Sequence, residues 1–194
     1  MCRKLFQEQR EPGILKVRRS SIALSISIFF VILATAAIVH GRQPLCQGLE
    51  TRHLFKIERS KNANIVQYDV QLTPDNKLYQ KEPVIAYWIR AAEDGREKEL
   101  TSFQRKWYYG FKTKYDVGSN SAILEMVACG ARVIKVYEVE GVYRGETRID
   151  GQPAFLEKIF VTSIKSGLYP KVTSIELYGK DTKTGVDCYE KITP

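Results

Sequence analysis

Alternating apolar and polar residues predict β-strands over most of this 194-residue chain. In Ile65–Leu72 every second residue is apolar, which is typical of a strand with one buried and one solvated face. Pro83–Ala91 is apolar on both faces and predicts a central strand, since proline is tolerated at a strand's first position. Further strands, separated by glycine-containing turns, are predicted at Ile123–Ala128, Arg132–Val139, Val142–Ile149, Pro153–Ile164, Val172–Gly179 and Val186–Ile192.

Successive hairpins make neighbouring strands antiparallel. The turn Asp150-Gly151 is among the strongest of these hairpin signals, because a type I′ turn needs positive φ at both central residues. The pattern therefore predicts an all-β, mainly antiparallel domain of about nine strands with one short helix. Its architecture is either a sandwich or an up-and-down barrel, and periodicity does not separate the two.

The short helix is the one segment that breaks the strand pattern. Thr101 and Gln104 have the spacing of a capping box, in which each side chain bonds the other residue's backbone N–H. The helix is predicted to run to about Tyr109, before Gly110. The polar stretch Lys112–Asn120 that follows is predicted to be an exposed loop.

The apolar run Ile22–Val39 holds no charged residue, and six Lys/Arg residues precede it. Basic residues beside an apolar segment mark the end that stays in the cytoplasm. The length of the run favours a retained transmembrane anchor, whereas Val39-His40-Gly41 offers a small-x-small pattern for signal cleavage, so both alternatives remain open. The predicted organisation is a basic cytoplasmic segment at 1–19, an anchor or signal peptide at 20–41, a linker at 42–52 and an exported β-domain at 53–194.

The formal net charge of +8 is divided equally between residues 1–41 and the rest of the chain. A mildly basic domain with interspersed charges lacks the basic stripe of nucleic-acid-binding proteins, so no nucleic acid partner is expected. No His/Cys cluster has the spacing of metal ligands, and neither a metal nor a cofactor is expected.

Four cysteines are too few for a disulfide scaffold. Cys46 and Cys188 lie near the two ends of the exported domain, and chain ends often lie close together. An oxidising compartment would therefore permit a disulfide between Cys46 and Cys188. Cys129 lies in an apolar stretch and is predicted to be a small buried core residue.

Three motifs carry a resemblance to a known family: Ile57-Glu-Arg-Ser-x-Asn-x-Asn64, Tyr87-Trp-Ile89 and Gln104-x-x-x-x-Tyr-Gly-Phe111. Over residues 54–192 the chain resembles the bacterial family "domain of unknown function 4833". The resemblance implies a small exported bacterial protein, and it implies no particular activity.

The first candidate binding group is Arg59 with Asn62 and Asn64. A guanidinium binds carboxylate or phosphate through two parallel hydrogen bonds, and amides add fixed donors, so the group could hold an anionic or sugar-like ligand. The alternative is structural, because Ser and Asn between two strands form turns.

The second candidate group contains Trp88, Arg90 and Tyr109. They belong to an aromatic-rich set that could line a cavity in a small barrel and bind an apolar or sugar ligand. Aromatic residues at this density are also typical of a plain core.

These observations predict an exported or membrane-anchored, non-enzymatic β-domain that binds a small ligand or an envelope protein. Two alternatives remain open. One is an envelope hydrolase or transferase acting on glycan or lipid through Glu58, Asp69 or Cys129, and the other is a structural component of an envelope assembly. The expected location is the bacterial cell envelope, periplasmic or anchored in the inner membrane, with the membrane as a partner through the N-terminal segment.

Overall fold

A computed structural model describes residues 48–130, 132–166 and 169–193. The predicted cytoplasmic segment, the predicted anchor or signal peptide 20–41 and Cys46 lie outside these residues. Within the described part of the chain, no helix has the length and apolar character needed to cross a membrane.

The described chain forms eleven strands and one short helix, in this order: β1 Glu50–Arg59, β2 Asn62–Leu72, β3 Val84–Ile89, β4 Glu97–Glu99, α1 Ser102–Gln104 with a π-helical turn Arg105–Tyr109, β5 Phe111–Asp116, β6 Ser121–Met126, β7 Val133–Val139, β8 Val142–Ile149, β9 Gln152–Ser166, β10 Tyr169–Asp181 and β11 Asp187–Ile192. The prediction of a mainly antiparallel all-β domain with one short helix is confirmed.

All eleven strands belong to one sheet with the order β4-β3-β2-β1-β9-β8-β7-β6-β5, and β10 pairs with β9 and β11. The long strand β9 joins the two halves of the sheet. Along one edge it pairs with β10 almost throughout, and its other edge is shared between β8, near Phe155, and β1, at 158–161. The β1–β9 pair is parallel and the other strand pairs are antiparallel.

The sheet curls into a half-barrel. The sequence had left a sandwich and an up-and-down barrel open as alternatives. Its core includes the alternating residues of β2, which are buried as predicted: Val66, Tyr68, Val70 and Leu72. Tyr68 stacks on Phe55 of β1 with ring centroids 4.4 Å apart.

Two strands were missed by the sequence patterns. Phe111–Asp116, most of which lies in the segment predicted as an exposed loop, is β5 and pairs with β6. Phe111, Thr113 and Tyr115 are half-buried and alternate with exposed charged residues, and pairing with an apolar neighbour holds the strand in the sheet. The charged Glu97–Glu99 is the short edge strand β4, and β1 begins at Glu50, inside the predicted linker.

The helix has the predicted capping box. The Thr101 N–H donates to Gln104 Oε1 at 2.9 Å, and the Gln104 N–H donates to Thr101 Oγ1 at 3.2 Å. Gly110 follows the π-helical turn. Only glycine fits this position, because a Cβ there would lie 1.8 Å from the Arg105 carbonyl oxygen. The Tyr68 hydroxyl donates to the Tyr109 carbonyl at 2.8 Å and fixes this turn to the sheet.

Candidate functional site

The β1–β2 hairpin places Arg59 and Asn62 opposite each other across a two-residue turn. Arg59 Nη2 donates to Asn62 Oδ1 at 2.9 Å. Both side chains are half-buried. Ser60 and Lys61 therefore form the turn that the structural alternative predicted. The Arg59–Asn62 hydrogen bond across this turn also directs the guanidinium toward β3.

Trp88 of β3 and Tyr109 of the π-helical turn complete a cluster with Arg59. The Arg59 guanidinium carbon lies 4.6 Å from the Trp88 ring centroid, and the Tyr109 ring meets Trp88 edge-on at 5.1 Å. Arg59 Nη1 lies 3.4 Å from the Tyr109 hydroxyl, a long hydrogen bond. We call Arg59, Asn62, Trp88 and Tyr109 the arginine site.

The charge of Arg59 has no carboxylate neighbour in the part of the chain that the structure describes. Among the described residues no acidic side chain lies within ion-pair distance of it, and its buried Nε–H has no hydrogen-bond partner. A buried donor without an acceptor is rare in folded proteins and needs an explanation. Arg59 therefore has unused hydrogen-bonding capacity at a partly buried position.

Tyr109 is a neutral hydroxyl in this site. Burial raises its pKa to about 12, although the Arg59 guanidinium acts in the opposite direction. The phenol therefore remains protonated at physiological pH and adds no negative charge to the arginine site.

Asn64 and Arg90 do not belong to the arginine site. Asn64 Oδ1 accepts from the Ala92 N–H at 2.9 Å, and its amide donates to Glu93 Oε1 at 3.3 Å. Arg90 pairs with Glu93 and, at 3.5 Å, with Asp94. Both residues brace the turn between β3 and β4, so the structure groups four of the six predicted residues and assigns the other two to this turn.

A second polar cluster surrounds Asp69, and the sequence patterns did not identify it. Asp69 accepts from the Tyr87 hydroxyl at 2.5 Å and from Gln67 Nε2 at 3.0 Å, and His53 Nδ1 lies 3.4 Å away. Burial acts to raise the pKa of Asp69, but hydrogen bonds from His53, Tyr87 and Gln67 outweigh it and lower the pKa. Asp69 is thus held ionised and its acceptor capacity is used within the fold.

The other acidic and thiol candidates are also engaged. Glu58 pairs with Lys56 at 2.6 Å and lies 3.8 Å from Lys158. Cys129 forms a disulfide, whereas Cys188 is a free, half-buried thiol. The possible Cys46–Cys188 disulfide, whose first cysteine lies outside the described residues, is therefore not supported. The register of β11 fixes Cys188 opposite Gly179 in the sheet, which a one-dimensional spacing argument does not reveal.

An apolar cavity of about 40 Å³ lies between β1, β6, β7 and the strands β9 to β11. Aliphatic side chains dominate its wall, among them Ile57, Ala128 and Leu177. At its rim Arg132 makes a two-pronged ion pair with Glu190, at 2.8 and 3.0 Å. Glu190 also accepts from the Asp150 N–H at 2.8 Å, so this pair ties β11 to the β8–β9 turn.

No group of three or more His, Cys, Asp or Glu side chains in the described ranges is arranged to hold a metal ion.

Comparison with known proteins gives a family and no activity. No curated protein and no solved structure matches the chain. A family model matches residues 55–191, a range that includes the arginine site, Asp69 and nine of the eleven strands in full. The chain belongs to the family described as "Domain of unknown function (DUF4833)".

Proposed function

We propose that this domain is a non-enzymatic binding module of the bacterial cell envelope and that the arginine site holds an anionic group of a small ligand. The observation that carries the proposal is the buried Arg59 Nε–H without an acceptor, in a guanidinium with no carboxylate neighbour among the described residues. A carboxylate or phosphate would supply both a hydrogen-bond acceptor for this N–H and a negative charge to balance the guanidinium.

The geometry around Arg59 favours recognition of a flat or forked anion. Stacking on Trp88 fixes the plane of the guanidinium, and the bond to Asn62 Oδ1 fixes its rotation. A guanidinium held in this way offers its remaining N–H groups in one preset direction, which reduces the entropy lost on binding. The Tyr109 hydroxyl lies beside these donors.

The envelope location rests on the sequence. The apolar run Ile22–Val39 with its basic flank predicts that the β-domain lies outside the cytoplasm, either anchored in the inner membrane or released into the periplasm. Small anionic solutes and lipid head groups are both available there, and the arginine site is compatible with either source.

The enzymatic alternative lacks a free reactive group at its candidate positions. A disulfide-bonded Cys129 cannot supply a thiolate nucleophile. Asp69 accepts three hydrogen bonds and its lowered pKa makes it a poor proton donor, and Glu58 is paired with lysine. These contacts favour binding over turnover.

The test is native mass spectrometry of the full-length chain purified from its host's envelope, compared with the same sample after denaturation. We expect an added mass in the wild type that is lost on unfolding, absent in Arg59→Met and retained in the matched control Arg90→Met. Retention of the added mass by Arg59→Met would show that the ligand binds elsewhere. A wild-type chain without added mass that crosslinks to an envelope protein would instead support the assembly role.

A further inference from the structure

The short helix before β5 has one buried and one exposed side. Gln104 and Tyr108, four residues apart, are buried. Phe103 and Trp107, also four residues apart, are 46% and 43% exposed. The helix therefore holds two large aromatic side chains toward solvent in the same short segment.

The residues between these aromatics are basic. Arg105 and Lys106 are exposed, and Lys106 Nζ lies 5.3 Å from the centroid of the Trp107 ring. No acidic residue occurs from Thr101 to Tyr109. The exposed Glu99 carboxylate lies 4.0 Å from Arg105 Nη2, which is at the limit of an ion pair, and solvent weakens this interaction. We call Phe103, Arg105, Lys106 and Trp107 the aromatic helix face.

The backbone beneath this face is firmly held. The capping box closes its start, Arg105 Nε donates to the Leu100 carbonyl at 3.1 Å, and the Tyr68 hydroxyl binds its end. An exposed aromatic pair on a fixed backbone is not explained by local disorder. The other large exposed hydrophobic residues in the described ranges sit on strands or turns and are mostly aliphatic: Val117, Val133, Val142, Ile164, Val186 and Tyr189.

We propose that the aromatic helix face docks onto the surface of a lipid bilayer that contains anionic lipids. Tryptophan and phenylalanine side chains favour the boundary between head groups and acyl chains, and lysine and arginine beside them favour lipid phosphates. Four side chains are too few for a stable protein interface, which buries about 800 Å² on each partner. The absence of acidic side chains in the segment matches an anionic surface.

This surface is separate from the arginine site in its chemistry, and its test does not depend on a ligand there. The chain contains two tryptophans, Trp88 and Trp107. Trp88 is buried, so bromine atoms in a bilayer reach only Trp107 if the proposed face docks.

The experiment reconstitutes the full chain into vesicles made of equal amounts of phosphatidylglycerol and a phosphatidylcholine brominated near the head-group end of its acyl chains. We expect the brominated lipid to quench wild-type tryptophan emission and to leave Trp107→Phe unquenched. Replacing either Arg105 or Lys106 by glutamine should weaken docking about fivefold, because each basic residue near an anionic surface contributes about that factor. The weakening should vanish when phosphatidylglycerol is replaced by unbrominated phosphatidylcholine.

A matched control moves the reporter to the far end of the sheet. In the double variant Trp107→Phe/Val186→Trp the new indole lies in the β10–β11 turn. That turn begins at Asp181, which is opposite Ala154 of β9. Arg59, which contacts Tyr109 at the end of the helical segment, is opposite Val161 of the same strand. Seven residues of extended strand separate these two pairs by about 23 Å. Quenching of this control equal to the wild type, or no quenching of Trp107, would overturn the proposal.

Discussion

Replacing Arg59 by methionine separates a residue that serves a ligand from one that serves the fold. The change removes the guanidinium and keeps a long, flexible side chain against Trp88. If Arg59 is structural, the domain loses a stacked and hydrogen-bonded cation. If Arg59 serves a ligand, the substitution should change the stability of the ligand-free domain little. The reason is that the wild-type guanidinium already carries the cost of a buried donor without an acceptor.

The magnitudes follow from the contacts. The stack on Trp88 at 4.6 Å contributes about 0.5–2 kcal/mol and the bond to Asn62 about 1 kcal/mol. In the other direction, an unpaired buried N–H costs about 1–3 kcal/mol, and a thioether against an indole returns about 0.3–1.5 kcal/mol. The two sides nearly cancel, so the free energy of unfolding should change by no more than about 1 kcal/mol.

The assay is urea denaturation of the ligand-free chain, followed by tryptophan fluorescence and circular dichroism. The matched control is Arg90→Met, which breaks solvent-exposed ion pairs worth about 0–1 kcal/mol. Both variants should unfold close to the wild type, while only Arg59→Met should lose the bound mass. A loss above about 2 kcal/mol for Arg59→Met would refute the reasoning and make Arg59 a structural residue.

Three further predictions concern the stability of the fold. Tyr87→Phe removes the 2.5 Å bond to buried Asp69 and should cost about 1.5–3 kcal/mol at neutral pH. Because the pKa of Asp69 is lowered in the folded state, this cluster stabilises the protein above the ordinary aspartate range, and the stabilisation is lost as pH falls through the folded pKa. The variant should therefore raise the pKa of Asp69 and begin to lose stability at a higher pH, as measured by urea denaturation across a pH series. Gly110→Ala drives a Cβ into a backbone carbonyl and should cost at least about 3 kcal/mol by the same assay. Ala128→Val fills part of the 40 Å³ cavity and should stabilise the domain by up to about 1 kcal/mol in thermal unfolding.

Each of these predictions has an outcome that contradicts it. For Gly110 the control is Gly118→Ala, where the nearest atom to a new Cβ, Asp116 Oδ1, is 3.5 Å away, so equal losses at both glycines would exclude the carbonyl clash as the cause. An unchanged acid transition in Tyr87→Phe would show that the Tyr87 hydroxyl does not set the pKa of Asp69. A lower melting temperature in Ala128→Val would show that the cavity cannot accept another methyl group.

The periodicity of the chain determined most of the secondary structure. In β2 and in the hairpins from β6 to β9 each residue's burial follows from its own position in an alternating pattern, which is local information. The capping box was readable for the same reason, since its two residues are three apart. β5 and the charged β4 were missed, because pairing with a neighbouring strand, and not their own composition, holds them in the sheet.

The candidate site was only partly readable from the sequence. Arg59 and Asn62 meet across one turn, so their contact follows from short spacing, and Trp88 and Tyr109 were predicted as binding residues without any indication that they meet Arg59. Strand register and the curl of the sheet decided three further points. They placed Arg90 apart from this group, brought the Tyr87 hydroxyl to Asp69, and determined that Cys129 forms a disulfide while Cys188 is free. Apolar pattern determined which residues are buried, whereas only the tertiary structure decided which buried polar groups have partners, because partners far apart in sequence are brought together by the packing of the whole sheet.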